Sequence, residues 1–141
     1  MKSRKDSRAP PSSPSNRWDI LIVDDDEEFR SHLSELLQVA GYSVRQAADG
    51  IAGLEEIERE MPSLVLLVLN VSGLNGFNLL KALRARPLSA QVPVAVISKF
   101  GFAWEASLVE ADGCIDKPLR PENALHVVDA LLNQKKRRFL H

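Results

Sequence analysis

Three uninterrupted apolar runs constrain the fold of this chain more than any other feature of its sequence. They occupy residues 20–23, 64–69 and 92–97 and consist mainly of Val, Ile and Leu. A strand that is apolar on both sides is typical of the centre of a parallel sheet, where helices cover both faces. The runs therefore predict a parallel sheet that is buried on both faces.

Segments with helical periodicity alternate with these runs. Apolar residues recur at helical spacing in 29–40, 51–60, 77–86, 104–110 and 122–133, and shorter strands are predicted at 42–47 and 114–115. Gly41, Pro62 and Pro87 are placed to end the first three helices. Five β-α units of this kind predict an α/β fold, a doubly wound, five-stranded parallel sheet with right-handed crossovers.

The formal net charge of -1 conceals an uneven distribution of charge. Residues 1–18 carry a net +4, residues 135–141 carry another +4, and residues 19–134 carry a net -9. The first 17 residues are rich in serine and proline and have no large apolar residue after Met1, so they bury too little to offset the entropy of ordering. We predict a disordered basic leader at 1–17, a folded domain at 18–134 and a basic tail at 135–141.

Composition excludes several classes of protein. The single cysteine, Cys114, is insufficient for an intramolecular disulfide or for a zinc site built from cysteines. No apolar stretch approaches the roughly 18 residues that a membrane span needs, and the basic N-terminus lacks the apolar region of a secretory signal. These features indicate a cytoplasmic protein with no membrane partner.

Polar residues follow the predicted strands at the point where each strand ends. Asp24 and Asp25 come after the first apolar run, Ser98 follows the third run, and Lys117 follows the last short strand. Functional groups of open parallel sheets collect at this edge. Two carboxylates can hold a hard cation such as Mg²⁺, and a hydroxyl with an ammonium can hold phosphoryl oxygens.

Each of these groups also has a purely structural interpretation. Asp24 and Asp25 precede a predicted helix, and the positive end of the helix dipole would stabilise their carboxylates. Lys117 can serve as their ion-pair partner, Ser98 can satisfy backbone groups at the end of a strand, and Cys114 fits a small core position. The residues alone leave both interpretations open.

Taken together, these segments resemble the receiver domains of response regulators, the CheY-like family. The resemblance covers roughly residues 19–134 and rests on four segments: LIVDDDEEFR at 21–30, PSLVLLVLNVSGLNGFNLLKALR at 62–84, PVAVIS at 93–98 and ADGCIDKP at 111–118. It implies a flavodoxin-like (βα)5 fold and a role in two-component signalling by phosphorelay, without enzymatic activity.

The resemblance also assigns roles to individual residues. It places the family's acidic pair at Asp24 and Asp25, its hydroxyl at Ser98 and its lysine at Lys117, and it makes Asn70 the residue whose backbone carbonyl would bind the metal. It further implies a cis peptide bond between Lys117 and the following proline, because the family uses that bond to turn the lysine inward.

The chain departs from the family pattern at its central position. The family's phosphate-accepting aspartate lies eight residues before the glycine that opens the third helix, and eight residues before Gly76 stands Val68. Valine has neither a nucleophilic oxygen nor a metal-binding atom. We therefore interpret the chain as a pseudo-receiver, in which Asp24, Asp25 and Asn70 bind Mg²⁺ weakly or no longer bind it.

Two further departures concern the face that typical receivers remodel on phosphorylation. Cys114 stands at the position of the family's switch aromatic, and the segment from Ser98 to Lys117 is shorter than usual. This segment contains three aromatic residues, Phe100, Phe102 and Trp104. They fit either the core or an exposed contact patch, since aromatic residues are enriched at the centres of interfaces.

The preferred interpretation is a phosphorylation-independent module that binds another signalling protein through the surface around 98–120. That partner would be a kinase, a regulator, an output domain or a second copy of the chain. One alternative is a nucleic-acid-associated regulator using the basic tails, although the acidic body would make such binding weak. A less favoured one is a phosphatase of the haloacid-dehalogenase type, which Asp24, Asp26, Ser98 and Lys117 fit in outline but Glu28 does not.

Overall fold

A computed structural model describes residues 18–69, 76–99 and 111–140 of the chain. Its first half contains β1 (Asp19–Val23), α1 (Glu27–Val39), β2 (Ser43–Ala47) and α2 (Gly50–Arg59). Its second half contains β3 (Leu64–Val68), α3 (Gly76–Ala85), β4 (Val94–Lys99), β5 (Gly113–Lys117) and α4 (Pro121–Leu140). The structure therefore confirms each of the five predicted strands.

All five strands are parallel and form one sheet in the order β2-β1-β3-β4-β5. The apolar runs supply its interior, because β1 and β3 lie between other strands and every residue from 20 to 23 and from 64 to 67 is fully buried. Val23 pairs with Leu67, and Val68 pairs with Ile97 one step further along the same edge. The predicted doubly wound sheet is confirmed.

Successive residues of β1 enter opposite cores, as the pleat of a strand requires. Ile20 and Ile22 join a cluster on the α1 and α4 side, which also contains Leu33, Leu37, Leu66, Ile97, Val128, Leu131 and Leu132. Leu21 and Val23 join a cluster on the α2 and α3 side, which also contains Ile57, Leu67, Leu79 and Leu83. Helices thus cover both faces of the sheet, as predicted.

Two glycines are required where helices begin or end. Gly41 follows α1 with a φ of 103°, a left-handed conformation that glycine adopts without steric cost. Gly76 opens α3 against the end of β3, where a Cβ would lie 2.6 Å from the Cα of Leu69 and from the carbonyl oxygen of Val68. The close approach of α3 to the end of β3 therefore depends on glycine at this position.

The last helix is longer than predicted. The periodic pattern indicates an end near Asn133, but α4 continues to Leu140 and includes the basic run that starts at Lys135. This run lacks proline and glycine, and Gln, Lys and Arg are good helix formers. Cations at the end of a helix are also favoured by its dipole.

Two further sequence predictions bear on the fold. The Lys117-Pro118 peptide bond is cis, as the family resemblance implies. The helix predicted at 104–110 lies outside the described residues. Within the described ranges, none of the helices combines the length and apolar character that crossing a membrane demands.

Candidate functional site

Asp24 is the buried acid at the carboxyl edge of the sheet. It directly follows β1, its exposure is 0%, and its backbone N–H donates to the carbonyl of Ala47 at 3.1 Å. Its Oδ1 accepts hydrogen bonds from the Asp26 backbone N–H at 2.9 Å and from Lys117 Nζ at 3.3 Å. The chain thus turns tightly around this carboxylate between β1 and α1.

Lys117, the last residue of β5, provides the positive charge that compensates this carboxylate. Its Nζ lies 3.0 Å from Asp24 Oδ2 and 3.5 Å from Asp26 Oδ2, and its side chain is 11% exposed. The 3.0 Å contact is electrostatic, since no donor among the described residues is aligned for a hydrogen bond to Asp24 Oδ2. The ammonium also lies 4.8 Å from the centroid of the Phe29 ring, within cation–π range.

Asp26 is the N-cap of α1 and the second carboxylate at the ammonium. Its Oδ1 accepts a hydrogen bond from the Phe29 backbone N–H at 3.1 Å. That bond is the main reason why the pKa of Asp26 lies below its ordinary 3.8; desolvation opposes the shift, and the charge of Lys117 adds to it. Asp26 therefore joins the start of α1 to the end of β5.

Arg30 fixes the same turn from the other side. Its Nη1 donates to the backbone carbonyl of Asp24 at 2.7 Å, and its Nε donates to Gln46 Oε1 on β2 at 2.9 Å. One side chain of α1 thus holds the end of β1 beside β2. This contact supports the placement of Asp24 but brings no reactive group to the site.

Val68 occupies the end of β3, beside the end of β1 in the sheet. It is half-buried and packs against both core clusters. Ser98 lies one residue past the partner of Val68 on β4, is 2% exposed and pairs in register with Asp116. Valine therefore ends the strand that lies between the strand leading to the buried acid and the strand that carries the hydroxyl.

Cys114 is half-buried and packs with Ala111 against the Leu69 and Val96 pair. Cys114 was interpreted as a small core residue; it contacts the core but is only half-buried. It lies three residues before Lys117 on β5, on the strand that carries the lysine to the site.

The residues around Asp24 are a poor fit to a tightly bound Mg²⁺. This ion prefers oxygen ligands in near-octahedral geometry. Lys117 and the backbone of Asp26 already contact both carboxylate oxygens of Asp24, and Val68 brings no side-chain oxygen. Within the described part of the chain, no group of three or more acidic, histidine or cysteine residues is arranged to hold a metal.

A cleft of about 410 Å³ opens beside Lys117, between α1 and the segment after β5. Its lining combines carboxylates with apolar and aromatic groups: Asp26, Glu28, Phe29, His32, Lys117, Pro118 and Leu119. The cleft is lined by the same ammonium that compensates Asp24. A molecule bound there would contact the site without reaching a nucleophilic side chain at the end of β3.

The structure brings some of the residues predicted for this edge together. The structure brings Asp24, Ser98 and Lys117 to the predicted edge, with Val68 among them. The expected pairing of Lys117 with Asp24 is confirmed, and Asp26 is a further carboxylate at the ammonium; Asp25 and Asp26 are both exposed. The remaining predicted residues lie outside the described ranges, namely Asn70, Phe100, Phe102 and Trp104.

Two residues at the site, Phe29 and Arg30, were not predicted from the sequence. Asp26 was named only for the phosphatase alternative, although an aspartate before Glu27 and Glu28 is also typical of a helix N-cap. Phe29 and Arg30 have no such local signal, since their contacts with Lys117 and Gln46 join elements far apart in the chain.

Comparison with known proteins places this geometry in a family. Residues 20–129 match the response regulator receiver domain. The DNA-binding dual master transcriptional regulator RpaA of Synechocystis is 34% identical over 84% of this chain and 50% of its own length. The sporulation initiation phosphotransferase F of Bacillus subtilis is 35% identical over 58% of this chain and 64% of its own length.

Solved structures agree with this result. The chemotaxis response regulator CheY4 of Vibrio cholerae has a TM-score of 0.77 at 28% identity, covering 82% of this chain and 99% of that one. The chain spans about half the length of the first curated relative and less than two thirds of the second. With the CheY-like sheet, these likenesses show that the chain belongs to the response regulator receiver domain family of two-component signalling.

Proposed function

We propose that this receiver works without phosphorylation at the family's usual acceptor position, as a protein-interaction module of a two-component pathway. The observation that carries the proposal is Val68 at the end of β3. Formation of an acyl phosphate requires a carboxylate oxygen that attacks phosphorus, and a valine side chain offers only methyl groups. The neighbouring residues of β3, Leu66 and Leu67, are buried and apolar as well.

The electrostatics of the site support a single fixed state. In place of an acceptor aspartate, Lys117 has Asp24 at 3.0 Å and Asp26 at 3.5 Å. The buried negative charge is thus compensated from within the chain, with no need of Mg²⁺. A conformational switch that depends on phosphorylation lacks its acceptor side chain at this edge. The domain would therefore present the same surface to its partner at all times.

The proposed partner is another signalling protein, either a kinase, a regulator or an output domain. Receiver domains act with such proteins, and the surface around 98–120 carries the departures from the family pattern. The cleft beside Lys117 includes residues 117–119 of this surface, and Leu119 and the carboxylates of Asp26 and Glu28 line it, with the largely buried Phe29 beneath. A mixed apolar and charged surface of this kind suits a protein partner in the cytoplasm.

Treatment with a small phosphodonor tests the proposal directly. The chain is incubated with acetyl phosphate and Mg²⁺, and its intact mass is measured. We expect no gain of phosphate by the natural chain and a gain of one phosphate by Val68→Asp, with Val68→Asn as the neutral control. A phosphate found on an aspartate of the natural chain would overturn the proposal.

The same preparations test the enzyme alternative. A generic aryl phosphate with Mg²⁺ should remain intact in the presence of the natural chain, because Lys117 and the Asp26 backbone already engage Asp24. Turnover that is lost in Asp24→Asn would instead identify a phosphatase.

A further inference from the structure

The cleft beside Lys117 has two walls that come from distant parts of the chain. The start of α1 supplies one wall, in which Glu28 and His32 are four residues apart and therefore lie on the same face of the helix. Residues 117–119, at the end of β5 and just after it, supply the other wall. The volume of about 410 Å³ is within the range of clefts that bind ligands.

Part of the lining of this cleft is apolar. Phe29 is 7% exposed and belongs to the core cluster on the α1 and α4 side, and the half-buried Leu119 packs against the same cluster. Pro118, which precedes Leu119, is exposed. A group that fills the cleft would therefore bury apolar surface in addition to meeting its carboxylates.

The charge of the cleft is negative. Asp26 and Glu28 line it, and the ammonium in its lining, Lys117, is shared between Asp24 at 3.0 Å and Asp26 at 3.5 Å. With Asp24 included and His32 neutral, three carboxylates accompany one ammonium, which gives a formal net charge of -2. Among the described residues, no ammonium or guanidinium forms an ion pair with the exposed Glu28.

The arginines that follow the two cleft walls in sequence have other partners. Arg30 donates to the backbone carbonyl of Asp24 and to Gln46 on β2. Arg120 is paired with Asp116 at 2.9 Å. These guanidinium groups therefore leave the negative charge of the cleft to a cation from outside the domain.

We propose that the cleft receives an arginine side chain of the partner protein, while an apolar residue of the same segment packs on Pro118 and Leu119. This inference rests on the proposed function, which makes the partner a protein. A guanidinium has five N–H donors, enough to serve the carboxylates of both Asp26 and Glu28. It is also planar and more weakly hydrated than an ammonium, so it packs on apolar groups at a smaller cost of desolvation.

Other occupants suit this lining less well. A phosphate or a carboxylate group would be repelled by Asp26 and Glu28, which the cleft does not compensate fully. A purely apolar side chain would remove these carboxylates from water without giving them a partner. The described part of the chain also offers no group of three or more acidic, histidine or cysteine side chains for a metal ion.

NMR titration of the isotope-labelled natural chain with short synthetic peptides tests this inference. The probe is acetyl-Ser-Leu-Arg-Leu-Ser-amide, added up to about 10 mM. In a second peptide, citrulline replaces arginine, which nearly keeps the shape of the side chain but removes its charge. In a third peptide, lysine replaces arginine, which keeps the charge but removes the planar group.

We expect the arginine peptide to shift the backbone amide signals of Glu28, His32 and Leu119, with a dissociation constant of about 1 mM. The citrulline peptide should bind at least about fivefold more weakly, because it makes no ion pair with the carboxylates. The lysine peptide should have an affinity between the other two, because its ammonium is more strongly hydrated.

Two charge-matched variants locate the binding site. Glu28→Gln removes a carboxylate that lines the cleft, whereas Glu27→Gln removes the neighbouring carboxylate, which is outside its lining. Both residues are exposed and lie in the first turn of α1, so both variants lose a similar interaction with the helix dipole. We expect Glu28→Gln to weaken binding of the arginine peptide about fivefold and Glu27→Gln to weaken it less than about twofold.

Three results would overturn the inference. The arginine peptide would leave these amide signals unchanged at about 10 mM, the citrulline or the lysine peptide would bind as tightly as the arginine peptide, or Glu27→Gln would weaken binding as much as Glu28→Gln. None of these measurements involves phosphate, so they can fail while the mass measurement upholds the proposed function, and the reverse.

Discussion

At the scale of single residues, the buried charge of Asp24 makes Lys117 the most sensitive position of the site. Asp24 is fully buried, and the Lys117 ammonium at 3.0 Å is its main positive neighbour among the described residues. Removing one partner of a buried ion pair costs about 3 kcal/mol or more. We expect Lys117→Met to lower the free energy of unfolding in urea by about this amount.

The matched controls separate charge from packing. Asp24→Asn combined with Lys117→Met removes both charges and should recover part of the lost stability, whereas Lys81→Met, at an exposed lysine of α3, should change little. If Lys117→Met were as stable as Lys81→Met, the assignment of Lys117 as the compensating charge would be wrong.

Asp26 gives the site a dependence on pH in the acidic range. Its pKa in the folded chain lies below 3.8, so its ionised form stabilises the fold above that pH, and the contribution disappears as the pH falls through the folded value. Asp26→Asn keeps a good helix cap but does not titrate. We expect the natural chain to be more stable than this variant near neutral pH, with the difference shrinking below pH 3.8.

Unfolding by urea at a series of pH values measures that difference. Asp26→Ser, another neutral cap, should follow the asparagine variant. A difference between the natural chain and both variants that stays constant down to the lowest pH would show that the charge of Asp26 adds nothing to the stability.

At the scale of elements, one hydrogen bond connects the turn before β2 with α4. The Tyr42 hydroxyl donates to Asp129, and burial, assisted by the carboxylate, raises the pKa of Tyr42 to about 12. Because the folded value is above the ordinary 10.0, this contribution to stability is complete below pH 10.0 and is lost as the pH rises through about 12.

Tyr42 is the only tyrosine of the chain, so the absorbance of its phenolate reports this group directly. We expect a titration midpoint near 12 in the natural chain, and a lower one in Asp129→Ala. Tyr42→Phe should lower the free energy of unfolding by about 1 kcal/mol near neutral pH. A midpoint near 10.0 in the folded natural chain would contradict the link between Tyr42 and α4.

The elements themselves could be predicted where a local pattern determines them. The apolar runs of β1 and β3 predict buried parallel strands. Their side chains alternate between the two faces of the sheet, and this alternation determines which core each residue joins. The end of α4 could not be predicted from apolar periodicity, because beyond Leu132 the helix continues through Gln, Lys and Arg residues, which are good helix formers but carry no apolar pattern. The position of Asp26 beside Lys117 depends on two elements meeting, which a local pattern does not show.

At the scale of the whole molecule, the acidic run 24–28 lies at the edge of the sheet where the strands end. Lys117, which β5 carries to the same edge, compensates this charge in part. The fold could be predicted from the sequence because the alternation of apolar runs with segments of helical periodicity extends along the chain.

The stability of the whole domain should be independent of Mg²⁺, because the chain itself compensates its buried acid. We expect the urea midpoint of the natural chain to be the same with EDTA and with about 10 mM Mg²⁺. Val68→Asp adds a third carboxylate at the end of β3 and should cost about 1–2 kcal/mol without metal, through lost apolar burial and like-charge repulsion. If the restored site has a dissociation constant of about 1 mM, the same Mg²⁺ returns about 1.4 kcal/mol. Val68→Asn should lose stability without this response, and a clear rise in the midpoint of the natural chain with Mg²⁺ would show that its own residues form a metal site.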